Sequence, residues 1–570
     1  MKMSKTTLLA ALLFLLPSLS GFAQSLSVPS LPTAVAPPPA ALGGTLNLDL
    51  MAAYQLALAR NLNLQVGRYD LALTDAEIRR SGGIFDPAFR AWANGSSTQS
   101  PTSTILEGAN VAKSARNTYG LSLDRLLPSG TLLGIEATSV RSSTNSTFFF
   151  LNPSYNANLR ATLTQPLLNG FGTVANRAGI VIAENVRDQT AIGFEVRVIN
   201  TLRDVEQAYW ELQATRETVN VSEQSLRLAK RLLAETKARV EVGTSAPIDL
   251  VQSEAGVATR LQALIYARNA AANAEDNLKS LLGFDLPIEW QTRIETAESY
   301  EIDTITLDLD ESIATAIKER PEIIQKELDL ERLDINVKVA RNQAMAKLDV
   351  TASLGYGGLS GDSTITDPET GEPIDIRQDL GDAARQVWNL EFPSWTLGIQ
   401  YSVPLGNHQA KEALVRRRFE RGRGEVELAA LKQQIIREVR FAVRAVEDGA
   451  AAIDASVASS RLAQRNIEAE QTKFKNGLST NFQVLQIQDD LANALLLEIR
   501  ARVDYRKALA AYYSATGTYL ESKDVTIADP GAPDSPHDFW KDVEWLQFTD
   551  FKQARQQVTK PAEQAGTATE

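Results

Sequence analysis

The 570-residue chain contains no cysteine and only two histidines, His408 and His537. Without cysteine there is no disulfide, no thiolate metal site and no Cys nucleophile. Two imidazoles far apart in sequence offer no cluster for catalysis or zinc. A basic excess is also missing: 58 Lys and Arg against 70 Asp and Glu give a net charge of −12, which argues against a nucleic-acid partner. The only continuous apolar run, Leu8 to Leu16, follows Lys2 and Lys5 and precedes the small residues of Gly21-Phe22-Ala23. It is far shorter than the ~20 residues of a membrane-spanning helix and reads as an export signal over 1–23. With no cysteine after the cleavage site, a lipid anchor there is excluded. The exported chain either stays soluble or enters a membrane as β-strands.

What the chain does have is a repetition. The segment that opens Arg239-Val240-Glu241-Val242-Gly243-Thr244-Ser245 and runs through Gln252 to Leu282-Gly283 matches a second one without a gap. That second segment opens Lys473-Phe474-Lys475-Asn476-Gly477-Leu478-Ser479 and runs through Gln486 to Thr516-Gly517. A glycine between two long apolar-periodic runs suits a helix–turn–helix, because it takes φ > 0 just past a helix end. Further back, Leu48-Asp49-Leu50 matches Leu307-Asp308-Leu309, and Ala57-Leu58 matches Ala316-Ile317. The organisation is therefore a proline-rich leader (24–45), a first repeat (46–283), a connector (284–304), a second repeat (305–517) and a tail (518–570). The tail carries Trp540, Trp545 and Phe551 in an irregular stretch that is expected to wrap the waist, and its end reads as disordered.

Each repeat changes period along its length. A helical pattern from Leu46 to about Gly83 gives way to alternation in Tyr119, Leu121, Leu123, in Leu133, Ile135, Ala137 and in Leu159, Ala161, Leu163. Such alternation marks strands with one apolar and one polar face. The second repeat has a shorter set in Val350, Ala352, Leu354, Tyr356 and in Leu397, Ile399, Tyr401, Val403. Phe148-Phe149-Phe150 and Trp388, Phe392, Trp395 read either as an interfacial aromatic belt or as loop aromatics that pack locally. After each strand block comes a proline-free helix, about 176–242 and about 409–476, on the order of 100 Å long at ~1.5 Å per residue. A near-heptad seam over that length implies coiled-coil packing.

Four to six amphipathic strands cannot close a barrel, since single-chain outer-membrane barrels begin at about eight. A strand exposed to lipid must nevertheless have its edges paired. Several copies pooling strands in one barrel, and helices in one tube below it, resolve the conflict. A coiled-coil periplasmic scaffold without a pore is the alternative. No carboxylate pair, triad or metal cluster supports an enzyme, and no cofactor is expected.

Val242-Gly243-Thr244…Ile248-Asp249-Leu250 and Asn476-Gly477-Leu478…Gln483-Val484-Leu485 resemble the periplasmic tip motif of TolC-like outer-membrane efflux proteins. Thr164-Gln165-Pro166-Leu167-Leu168-Asn169-Gly170-Phe171-Gly172 is similar to that family's strand-to-helix junction, and Ser402-Val403-Pro404-Leu405-Gly406 to its second copy. The resemblance implies a homotrimer with a twelve-stranded outer-membrane barrel, four strands per chain, continued by an α-helical periplasmic barrel. It also implies an exit duct for tripartite efflux or type I secretion, docked on a periplasmic adaptor and an inner-membrane pump or ABC transporter. The first repeat carries an extra strand pair around Leu121 to Ala137.

By the same resemblance, Val242, Gly243, Thr244, Asn476, Gly477 and Leu478 are the adaptor contacts. Ile248, Asp249, Phe474, Ser479, Gln483 and Gln486 fall on the periplasmic constriction. Phe474 stands in place of a tyrosine, Ser479 of an arginine, and Gln483 and Gln486 where paired aspartates form a cation-binding ring. Charge-assisted bonds are then unavailable, and a constriction held by packing and neutral hydrogen bonds is expected. Gly170-Phe171-Gly172-Thr173-Val174-Ala175 fits the dinucleotide fingerprint but lacks the short βαβ unit that fingerprint requires.

Overall fold

The computed structural model describes residues 44–102, 110–297, 305–366, 372–523 and 525. The expected export signal, most of the leader and the Trp540–Phe551 part of the tail lie outside them. The first repeat runs β1 (Thr45–Leu48), α1 (Leu50–Arg60), α2 (Leu62–Gly82) and strands β2 (Ala88–Pro101), β3 (Val111–Leu126), β4 (Leu132–Thr144) and β5 (Ser154–Pro166). It continues into the 64-residue α3 (Ala178–Glu241) and the 35-residue α4 (Pro247–Leu281). After β6 (Arg293–Thr296), the second repeat runs α5 (Leu309–Glu319), α6 (Pro321–Gln343), β7 (Lys347–Gly361), β8 (Ser363–Thr366), β9 (Pro373–Ile376), α7 (Leu380–Trp388) and β10 (Phe392–Ser402). The 68-residue α8 (His408–Lys475) and 36-residue α9 (Asn481–Thr516) complete it.

The helix expected from Leu46 onward starts later and is broken. Residues 45–48 pair in parallel with β6, a contact of four residues that no periodicity announces. Asp49 then caps α1, accepting from Ala52 N at 2.8 Å. At Asn61 the backbone becomes extended (ψ 124°). Its Oδ1 caps α2 by accepting from Asn63 N and Leu64 N, and its Nδ2 donates to Leu281 O at 2.7 Å. The second repeat breaks at the matching place by another means, Arg320 before Pro321, because a residue preceding proline is pushed out of the helical region.

The glycines that end α3, α4, α8 and α9, namely Gly243, Gly283, Gly477 and Gly517, all lie at φ between 75° and 79°. Each closes its helix with the same pair of bonds, as in Gly283 N to Ser280 O and Phe284 N to Lys279 O, so the carbonyls of the last turn are satisfied. Gly283 and Gly517 also seat each hairpin's end on the break between the short helices of its own repeat. A Cβ on Gly283 would lie 2.4 Å from Arg60 O, and one on Gly517 3.1 Å from Arg320 N.

Helices α4, α3, α9 and α8 pack side by side in that order toward the hairpin turns, and α2, α3, α6 and α8 toward the strands. Between these levels lies a polar knot. The Glu206 carboxylate on α3 accepts from Tyr54 OH at 2.8 Å, Tyr519 OH at 2.7 Å and Lys523 Nζ at 3.0 Å. Burial, reinforced by the Glu206 charge, pushes both phenols far above their ordinary pKa, so they stay neutral donors. A buried carboxylate with three charge-assisted donors is satisfied, and the knot ties α1, α3 and the chain beyond α9 together. Tyr519 and Lys523 of the tail dock here.

One antiparallel sheet has the order β10-β7-β5-β4-β3-β2. It has six strands where the family resemblance implies four per chain. The added pair is β3 and β4, inserted between β2 and β5. The segment between β9 and β10 holds α7, which lies against β5 and β7. Gly358 is so close beneath it that a Cβ would meet Ala383 O at 2.0 Å. Gln386 bonds both backbone groups of Leu359, N–H to Oε1 at 2.9 Å and Nε2 to carbonyl at 3.1 Å, past the point where β10 ends.

Gly243→Ala and Gly283→Ala separate backbone strain from crowding. Both force alanine to positive φ, costing about 1 kcal/mol, but only Gly283 faces a backbone oxygen; nothing lies within 4 Å of a Cβ on Gly243. Thermal unfolding of the purified protein should show Gly283→Ala losing at least twice the stability lost by Gly243→Ala.

Candidate functional site

Two regions are candidates for the functional site, the sheet and the hairpin turns. In the sheet, Phe89, Leu123, Ile135, Ala161, Leu354 and Trp395 form one cross-strand row. The adjacent row is Arg90, Ser122, Glu136, Arg160, Gly355 and Ser394. Because side chains alternate across a strand, the first row belongs to an apolar band that gives way to Asn117, Arg141 and Ser360 farther from the helices, and the opposite face is mainly polar. On the polar face Arg90 pairs with Asp124. Phe148, Phe149, Phe150, Trp388, Phe392 and Trp395 are all exposed, so these rings do not pack locally.

The glycine motif after β5 serves the strand-to-helix junction. Gly170 and Gly172 take φ of 84° and 90°, and Asn176 Nδ2 donates to both carbonyls, at 2.7 and 2.9 Å. Gly172 N donates to Ser129 O in the β3–β4 turn at 3.0 Å. The sheet around it is antiparallel, not the parallel βαβ unit a dinucleotide needs.

At the turns, the α3–α4 and α8–α9 hairpins end alike. Gly243 N donates to Val240 O and Thr244 N to Arg239 O; Gly477 N donates to Phe474 O and Leu478 N to Lys473 O. Val242, Gly243, Thr244, Asn476, Gly477 and Leu478 are all exposed, Leu478 to 77%. The residues expected at a constriction divide into groups. Ile248 is exposed. Asp249 spends its carboxylate on the α4 N-terminus, accepting from Ala246 N at 3.2 Å. Phe474 is buried with Leu232, Ile467, Val484 and Leu491, beneath the Arg239 guanidinium at 4.2 Å. The Ser479 hydroxyl donates to Glu470 and lies 3.4 Å from Gln483 Oε1. Gln483 and Gln486 are exposed, and Gln486 Nε2 reaches Asp490 at 3.4 Å.

Several residues that hold the turns together escaped the sequence reading. Asn481 Nδ2 donates to Asp249 O and to Ser253 Oγ, both at 3.0 Å, and its Oδ1 accepts from Thr236 Oγ1 at 3.2 Å. All three side chains are buried, so one amide bridges α3, α4 and α9. Arg239 Nη2 donates to Phe474 O at 2.9 Å. Arg260, 7% exposed, reaches from α4 to Leu485 O at 3.1 Å and Asp489 at 2.7 Å on α9. The Ser479 hydroxyl, then the Lys473 ammonium, hold the Glu470 carboxyl below its usual range. Only the polar character of these residues at apolar-seam positions signals them, and on an exposed helix face the same residues look ordinary.

Asn481→Leu removes the amide that both hydroxyls share and leaves Ser253 Oγ only its 3.3 Å bond to Thr236 Oγ1, at a cost of about 1–3 kcal/mol. Amide hydrogen exchange in 236–253 and 474–490 should accelerate at least tenfold, with the Tyr54–Glu206 region unchanged. Acid should act on the same segment. A depressed folded pKa means that Glu470 stabilises above its unfolded value of about 4.3, and that this is lost as pH falls through the folded value. Exchange corrected for its intrinsic rate should therefore stay flat from pH 8 to 5 and rise below about pH 4, and Glu470→Gln should abolish that rise.

The outer membrane efflux protein family model matches residues 53–284 and 312–518, one match per repeat. The chain is 24% identical over 361 residues to the outer membrane efflux protein BepC of Brucella suis biovar 1, spanning 62% of this chain and 71% of that one. It is 22% identical over 427 residues to the pyoverdine export outer membrane protein OpmQ of Pseudomonas aeruginosa, with 74% and 80% covered. The fold is similar to that of the Campylobacter jejuni CmeC outer membrane channel, with a TM-score of 0.58 at 16% identity over 82% of this chain and 86% of that one.

Proposed function

Because this chain belongs to the outer membrane efflux protein family, we propose that three copies form a conduit from periplasm to exterior. The chain is the exit duct of a tripartite efflux or type I secretion assembly. The observation that carries this reading is the two-faced sheet with open edges, continuous with very long helices. The apolar face meets lipid and the polar face lines the bore. Among the described residues β2 and β10 each lack a partner on one side and, inside a membrane, must find one in a neighbouring copy.

The helices carry unpartnered stripes that a neighbouring copy would cover. Leu62, Val66, Tyr69 and Leu73 are exposed at three- and four-residue spacing along α2, and Phe419, Val426 and Phe441 are exposed farther apart on α8. A pore-free coiled-coil scaffold gives no reason for a sheet with an apolar band across all six strands of one face. The exposed Val242-Gly243-Thr244 and Asn476-Gly477-Leu478 turns meet a periplasmic adaptor, and the inner-membrane pump or ABC transporter behind it selects the cargo. Ile248, Asp249, Phe474, Ser479, Gln483 and Gln486 shape the mouth, with Phe474 acting from the core and the exposed pair Gln483 and Gln486 facing the passage.

Purified protein in a planar lipid bilayer should give discrete ion-conducting steps, and a membrane that stays silent would overturn the conduit. Neutral Gln483 and Gln486 predict weak block by trivalent cations. The double variant Gln483→Asp, Gln486→Asp should tighten that block at least tenfold. Leu478→Cys should crosslink to the adaptor in intact cells, with Leu497→Cys, higher on α9, as the negative control.

A further inference from the structure

We propose that the barrel built by this chain has eighteen strands rather than twelve, and so a bore about half as wide again. The inference rests on the trimeric reading above and concerns what the added β3–β4 pair does within it. The pair is a full member of the sheet. β3 pairs with β2 from Val111 to Asp124 and with β4 from Ser114 to Leu126, and β4 pairs with β5 from Leu132 to Ser142. It carries the same two faces, with Tyr119, Leu121 and Leu123 beside Ile135 and Ala137 on the apolar side.

Its turn is anchored on both flanks. Arg125 Nε donates to Phe85 O at 3.3 Å before β2. Thr131 bonds Gln165 at the end of β5, and Gly172 N bonds Ser129 O. Gly130 lies so near the junction that a Cβ would meet Gly170 O at 2.2 Å. A hairpin merely lying on a narrower barrel would need neither the ladder nor these ties.

The edges also fit a second copy. Six consecutive antiparallel strands leave β2 and β10 running in opposite senses, so β2 of one copy meets β10 of the next antiparallel, and the alternation closes without a fault. Both edges are exposed almost throughout and share the apolar face through Phe89 and Ala91 on one and Leu397, Ile399 and Tyr401 on the other. At ~4.8 Å between strands and a tilt of ~40°, eighteen strands give a radius of roughly 18 Å and twelve roughly 12 Å. Only β2, β5, β7 and β10 continue into helices, so the helical tube keeps its own width and the passage broadens where it enters the membrane.

With no native cysteine, paired cysteines report strand neighbours directly. Ala91→Cys in β2 would be combined in turn with Leu397→Cys, Ile399→Cys and Tyr401→Cys in β10 and oxidised in isolated outer membranes. At least one pair should give covalent dimers and trimers on a non-reducing gel. The same Ala91→Cys combined with Leu159→Cys in β5 should give no link. Electron cryomicroscopy of the purified trimer should show eighteen strands. An Ala91–Leu159 link within one chain, or a trimer with twelve strands, would overturn this inference and leave the conduit standing. A chain that forms no trimer in the outer membrane would overturn the conduit reading itself.

Discussion

A peptide group left unpaired in hydrocarbon costs several kcal/mol, and everything at the strand end of this molecule follows from that cost. The interior strands satisfy their backbone against each other, but β2, 14 residues long, and β10, 11 residues long, each turn one row of N–H and C=O groups outward. No side chain can cover such a row in lipid, and one chain cannot bend six strands into a closed ring. Assembly is thus a condition for the membrane domain to exist. Where the edge of β7 runs on beyond β10, Gln386 supplies the missing donor and acceptor at Leu359, the same constraint met within the chain.

Away from the sheet, the two repeats solve equal problems with unequal chemistry. Four helix-ending glycines share one geometry, and two of them seat on helix breaks made differently, by an asparagine cap at Asn61 and by a pre-proline residue at Arg320. At the waist, the first repeat and the chain end converge on Glu206. The second repeat uses neutral bonds instead, with Tyr505 OH accepting from Ile305 N at 3.2 Å and Tyr512 OH meeting Ser312 Oγ at 2.9 Å. The turns differ in the same way. Asn481 on one hairpin reaches into the other, and Glu470 and Ser479 stay within their own. The duplicated backbone is symmetric, and the polar side chains that lock it are not.

This contrast explains what was legible in the sequence. A positive φ admits little besides glycine, so the hairpins at Gly243 and Gly477 stood out. A face exposed to lipid demands strict alternation, so β3, β4, β5, β7 and β10 were readable, and proline-free apolar periodicity bounded α3 and α8 to within a few residues. Partnerships across the fold were hidden because they leave no period. The β1–β6 pairing, the break at Asn61, the helix α7 and the Thr236–Ser253–Asn481 bridge each rest on a partner distant in the chain. Phe474 shows the same limit inside the candidate site. Its position in the motif suggested the mouth, whereas its packing beneath Arg239 is a tertiary fact.

The hairpin formed by β3 and β4 begins and ends at the sheet end remote from the helices, and it returns the chain to β5 in the direction β2 would have handed it over. Adding or removing such a unit shifts no helix by a residue and reverses no strand. In evolutionary terms the membrane pore and the helical tube are separate modules. Pore width can change in steps of one hairpin per chain, by lengthening a single external loop, while the surfaces that pack the tube remain under their own selection.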